Sequence, residues 1–89
     1  MKAKLVIVTG KVQAVGFRFS TKMIADDLDI KGYAKNVQDY VEILGVGEDE
    51  KLNQFVNKVI QGASPSSRVD DYSVKEVSVD ESYKKFYTN

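Results

Sequence analysis

Cysteine and histidine are both absent from the 89 residues. Without thiols there is no disulfide framework, no thiolate nucleophile and no Cys-based metal site, and without imidazole the commonest general base is missing as well. Long apolar runs are also lacking. Leu5 to Val8 is the longest near the N-terminus, far short of a signal-peptide core or a transmembrane span, so a cytoplasmic location and no membrane partner are expected. Nor is there an excess of either charge: 13 Lys and Arg balance 13 Asp and Glu. A neutral chain has no broad positive field to gather nucleic acid or an anionic membrane, so no nucleic-acid partner is expected and any anion must be held locally.

What is present suits an ordinary globular protein. Apolar residues are 43% and charged residues 29% of the chain, which is apolar enough to exclude a disordered polymer. At this length one domain spanning residues 1–89 is expected, burying roughly 60 to 65% of its unfolded surface. No segment repeats at a fixed period, and none is low in complexity.

The hydrophobic pattern changes period along the chain. Lys4 to Thr9 is β-branched and apolar on both faces, which predicts a strand near the middle of a sheet. Gly10 to Gly16 breaks that pattern and predicts a loop. From Arg18 to Asp29, Thr21, Ile24, Ala25 and Leu28 share one face at helical spacing while Lys22, Asp26 and Asp27 point away. Lys31 to Val37 and Tyr40 to Gly47 read as strands separated only by Gln38 and Asp39, the spacing of a tight antiparallel hairpin. Leu52, Phe55, Val56, Val59 and Ile60 then predict a second helix, with acidic residues at its start and Gly62 as its stop. Val69 to Val79 returns to strand, with a phase slip that predicts a bulge near Glu76. Phe86 and Tyr87 suggest a short closing strand.

Strand, helix, strand, strand, helix, strand is the order of the ferredoxin-like split β-α-β fold. The expected architecture is therefore α+β: an antiparallel sheet of four or five strands with two helices on one face.

The loop from Gly10 to Phe17 joins the first strand to the first helix, where unpaired main-chain N–H groups and the positive end of the helix dipole converge. Arg18 sits at that helix start, and a guanidinium can grip a phosphoryl group through two parallel hydrogen bonds. From these residues alone an anion cradle and an ordinary loop before a solvated arginine both remain open. Asn36, at the end of its strand, has the same ambiguity, since asparagine also satisfies turns.

The run Val8-Thr9-Gly10-Lys11-Val12-Gln13-Ala14-Val15-Gly16-Phe17-Arg18 resembles the signature of the acylphosphatase family, in which a glycine, one residue, Val-Gln-Gly-Val, one residue and Phe-Arg follow in order. Ile30-Lys31-Gly32-Tyr33-Ala34-Lys35-Asn36 is similar to the family's second block. Gly62 with Ser64-Pro65-Ser66-Ser67-Arg68-Val69-Asp70 resembles its connection into the fourth strand. The likeness runs from Leu5 to Val79. It implies hydrolysis of the carboxyl-phosphate bond of small-molecule acyl phosphates by a monomer, with no metal and no cofactor. It also implies that Arg18 and the main-chain N–H groups of Gln13, Ala14, Val15, Gly16 and Phe17 hold the phosphoryl group, and that Asn36 orients the attacking water. An acyl phosphate carries a good leaving group, so positioning and charge stabilisation suffice without a strong base.

Three positions depart from the family pattern: Ala14 and Asp29 stand where glycine is usual, and Asp39-Tyr40 where Asp-Gly is common. A non-glycine residue forced to positive φ costs about 1 kcal/mol. Two alternatives therefore stand beside the enzyme: a weak or idle phosphate-binding relative, and a ferredoxin-like binding or regulatory domain. An RNA-binding sheet would carry an aromatic signature with basic flanks, which this chain does not have.

Overall fold

A computed structural model describes all 89 residues. The chain forms β1 (Lys2–Lys11), α1 (Phe17–Asp27), β2 (Lys31–Val37), β3 (Tyr40–Gly47), α2 (Asp49–Ile60), β4 (Arg68–Val77) and β5 (Phe86–Thr88). The five strands make one sheet in the order β4-β1-β3-β2-β5. β1 runs antiparallel to both neighbours, with Val6 opposite Ile43 on one side and Val74 on the other. β2 and β3 close as the expected hairpin, Val37 opposite Tyr40. β5 joins the far edge parallel to β2, with Gly32 opposite Phe86. This is the ferredoxin-like split β-α-β fold, extended by a fifth strand that makes the sheet mixed.

Both helices cover one face of the sheet. α1 lies over β2 and β5, α2 over β1 and β3, and the helices touch each other. Between them and the sheet Val6, Val8, Ala34, Val41 and Ile43 meet Phe17, Ala25, Leu52, Phe55 and Val59, all buried. Phe55 of α2 meets Phe86 of β5 edge-on, ring centres 5.8 Å apart at 65°. Such a pair contributes about 0.5–1.5 kcal/mol beyond its buried area, and it anchors a strand of only three residues.

The ends of α1 explain how aspartate replaces glycine there. Asp29 adopts φ 57. The Ile30 N–H reaches back to the Ala25 carbonyl at 2.8 Å and the Asp29 N–H to the Asp26 carbonyl at 3.4 Å, a Schellman closure whose following residue, Ile30, is buried. At the hairpin the left-handed residue is Gln38, φ 54, rather than Asp39. α2 begins with Asp49 and Glu50, and left-handed Gly62, φ 95, follows just past its last turn as its sequence predicts.

β4 departs from expectation. The register shifts at Thr9/Gly10, so the extra residue on β4 is Asp70 and not one near Glu76. Tyr72 and Val74, opposite Val8 and Val6, remain 52% and 40% exposed, because β4 is an edge strand that neither helix covers. No helix of the fold is long and apolar enough to cross a membrane.

One buried group is unmatched. Thr21, fully enclosed under α1, has a hydroxyl with no hydrogen-bond partner. Thr21→Val should therefore raise the free energy of unfolding by about 1 kcal/mol, read from urea denaturation; a lower stability would show that the hydroxyl is in fact bonded.

Candidate active site

Val12 and Phe17 are each 1% exposed, and between them Ala14 and Gly16 face solvent. The loop is thus nailed into the core at both ends while its middle stays open. Ala14 (φ 60) and Gly16 (φ 78) both adopt left-handed backbone. Residues of alternating hand turn successive N–H groups toward one concave side, the arrangement that binds anions. The N–H groups of Gln13, Ala14, Val15 and Gly16 donate to no main-chain acceptor in the protein.

Gly16 is also the N-cap of α1, and its carbonyl accepts the first helical bond, from the Ser20 N–H at 3.0 Å. No side chain caps this helix and its first turn holds no acidic residue. The positive end of the dipole and the free N–H groups of the first turn therefore stay available to an external anion.

Two side chains clamp the loop from opposite sides. The Gln13 amide nitrogen donates to the carbonyl oxygens of Gln38, at 2.9 Å, and Tyr40, at 3.0 Å. Both partners are acceptors, so the amide NH₂ serves as a double donor and glutamate, ionised and acceptor-only, could not replace it. This ties the loop to the turn that follows Asn36, and it pins the left-handed Gln38. From the other side the Ser64 hydroxyl donates to the Val15 carbonyl at 3.1 Å.

Arg18 is the second residue of α1 and is half-buried. Its Nη1 donates to the main-chain oxygen of Asn89. Asn89 in turn donates its N–H to the Ala34 carbonyl at 3.0 Å, two residues before Asn36 on β2. Asn36 shares the helix-covered face of β2 with Ala34 and is exposed beyond it. These bonds bring the loop, Arg18 and the end of β2 to one corner of the molecule.

Lys35 and Tyr33 belong to the opposite face. Lys35 pairs with Glu42 at 3.6 Å and lies over the Tyr33 ring, its nitrogen 5.4 Å from the ring centre. The Tyr33 phenol donates to Glu42 at 2.6 Å, and burial, reinforced by that bond, holds its pKa well above the ordinary tyrosine value. Sequence reasoning reached Gln13 only for its main chain and did not single out Ser64 or Asn89. The side-chain partners of Gln13 and Ser64, and the bond from Arg18 to Asn89, lie between 25 and 71 residues away, and no local pattern signals them.

The chain is similar over nearly its whole length to known proteins. A family model described as Acylphosphatase matches residues 4–88. An acylphosphatase of Staphylococcus haemolyticus (strain JCSC1435) is 45% identical over 86 residues, 97% of each chain. The crystal structure of an acylphosphatase from Bacillus subtilis superposes with a TM-score of 0.93 at 41% identity, covering 100% of this chain and 99% of that one. An acylphosphatase from Coxiella burnetii gives 0.91 at 29% identity, covering 99% and 92%.

Ala14 provides a test of the loop's backbone. Its methyl group faces solvent, so replacing it removes strain without removing packing. Relief of left-handed strain is worth about 1–2 kcal/mol and the added freedom of glycine in the unfolded chain returns about 0.4–1 kcal/mol. Ala14→Gly should accordingly stabilise the protein by about 0.5 kcal/mol or slightly more. A drop in the denaturation midpoint would mean that the loop does not hold this backbone in solution.

Proposed function

The chain belongs to the acylphosphatase family, and from that premise we propose that it hydrolyses the carboxyl-phosphate bond of small acyl phosphates to a carboxylate and inorganic phosphate. The observation that supports the reading is that Arg18 stands in the first turn of an uncapped helix, directly after a loop of unpaired N–H groups and with no acidic residue in that turn. Part of the same reading is that the enzyme works as a cytoplasmic monomer, without metal or cofactor.

In this mechanism the N–H groups of Gln13 to Phe17 and the Arg18 guanidinium bind the phosphoryl oxygens. One Arg18 N–H is engaged with Asn89, which leaves the other guanidinium donors for the substrate. The Asn36 side-chain amide accepts a hydrogen bond from a water and aims its oxygen at phosphorus. The water oxygen forms the new bond to phosphorus as the bond to the acyl oxygen breaks, and a proton passes from the water to a phosphate oxygen or to solvent. The carboxylate departs without needing protonation, because a carboxylic acid is already ionised at neutral pH. Catalysis then rests on positioning and on charge stabilisation by fixed dipoles, which suits a chain that has no histidine or cysteine.

Ala14 does not weaken this reading. The residue reaches φ 60, so its methyl group costs stability while leaving the loop's left-handed bend in place.

Arg18→Lys should keep the fold and lower kcat/KM for benzoyl phosphate by about 100-fold or more, since a point charge cannot reproduce the paired guanidinium bonds. Steady-state phosphate release with a chelator present throughout measures it, and an unchanged rate would remove Arg18 from the mechanism. Asn36→Ala should lower kcat with little change in KM, because a water is positioned chiefly at the transition state. An effect confined to KM would make Asn36 a substrate-binding residue instead.

A further inference from the structure

Ser64 and Thr21 are the buried polar residues of the protein, and Ser64 is the one whose side chain reaches the cradle. It is 7% exposed and lies in the turn between α2 and β4. That turn is closed on itself. The Ser67 hydroxyl donates to the Ser64 carbonyl at 2.9 Å, the Ser67 N–H donates to the same carbonyl at 3.1 Å, and the Ser64 N–H donates to the Ser67 hydroxyl at 3.3 Å. Both main-chain groups of Ser64 are thereby satisfied within the turn. Its hydroxyl is left to cross to the Val15 carbonyl, 49 residues earlier in the chain, at 3.1 Å.

The consequence follows from the planarity of one peptide. In a trans peptide the C=O and the next N–H point in opposite directions. Holding the Val15 carbonyl toward the α2–β4 turn therefore turns the Gly16 N–H away from it, toward the open side of the loop. On its Gly16 side little else holds that peptide. Gly16 has no side chain, nothing lies within 4 Å of where a Cβ would stand, and glycine accepts either hand of backbone, so rotation of the Val15–Gly16 peptide meets no steric barrier at Gly16.

We infer that Ser64 is a positioning residue for the phosphoryl cradle: its hydroxyl locks the Val15–Gly16 peptide so that the Gly16 N–H faces the bound phosphoryl group. The inference rests on the reading of the loop proposed above. Ser64 touches no substrate. It acts through Val15, and its loss releases a donor of the cradle rather than removing one.

Inorganic phosphate, the product, serves as the probe. In the wild-type protein, titration with phosphate followed by amide NMR should move the Gly16 N–H resonance among the most strongly of the chain. In Ser64→Ala the same shift should shrink, the inhibition constant of phosphate should rise about tenfold, and kcat/KM for benzoyl phosphate should fall by a similar factor. If the variant loses only stability while phosphate inhibition and kcat/KM stay at wild-type values, Ser64 is merely structural and the inference is overturned. Should the variant not fold, the wild-type titration still decides: a Gly16 amide indifferent to phosphate in an active enzyme overturns it equally. Wild-type protein that neither hydrolyses benzoyl phosphate nor binds phosphate would overturn the functional reading itself, and this inference with it.

Discussion

Val12 and Phe17 are buried on either side of a loop whose middle faces water, and the candidate site depends on that arrangement. An anion cradle made of main-chain N–H groups has conflicting needs. The groups must stay unbonded within the protein and open to solvent, yet they must not rotate. Core burial of the two flanking side chains fixes the ends. Left-handed backbone at Ala14 and Gly16 sets the curvature. Bonds from the Gln13 amide and the Ser64 hydroxyl hold the remaining freedom. None of these devices bonds to the N–H groups themselves, so all of them leave those groups free.

The electrostatics are correspondingly local. A chain with equal numbers of acidic and basic residues has no field that could steer an anion from afar. In the proposed mechanism attraction comes from the first turn of α1, where the dipole is uncapped and no carboxylate competes, and from the Arg18 guanidinium. β5 belongs to the same corner. Phe86 is buried against Phe55, and this short strand delivers Asn89 to a point where its N–H pairs with β2 and its main-chain oxygen accepts from Arg18.

Where local chemistry and burial agree, the sequence was readable. The hairpin strands Lys31–Val37 and Tyr40–Gly47 coincide with their predicted limits, because each has one face under a helix and a two-residue turn between them. The second helix shows its apolar stripe in full. β4 was misread in detail for the opposite reason. Its alternation through Tyr72 and Val74 resembles a buried face, but no helix lies over that edge, and its bulge is set by the partner strand at Thr9/Gly10 rather than by its own pattern. The left-handed residue of the hairpin fell on Gln38 for a similar reason: its carbonyl is held from outside by Gln13, a contact that no turn preference contains.

Sequence by itself determined the order of the elements, the position of Arg18 at the start of α1 and the placing of Asn36 near the end of β2, since period, turn chemistry and capping act over a few residues. Only the tertiary structure decided what orients them: Gln13 against the hairpin, Ser64 against Val15, and Arg18 against Asn89, 71 residues away. The physical reason is that such bonds join groups whose separation along the chain is unrelated to any structural period. They exist only once the sheet and helices have closed the intervening loops.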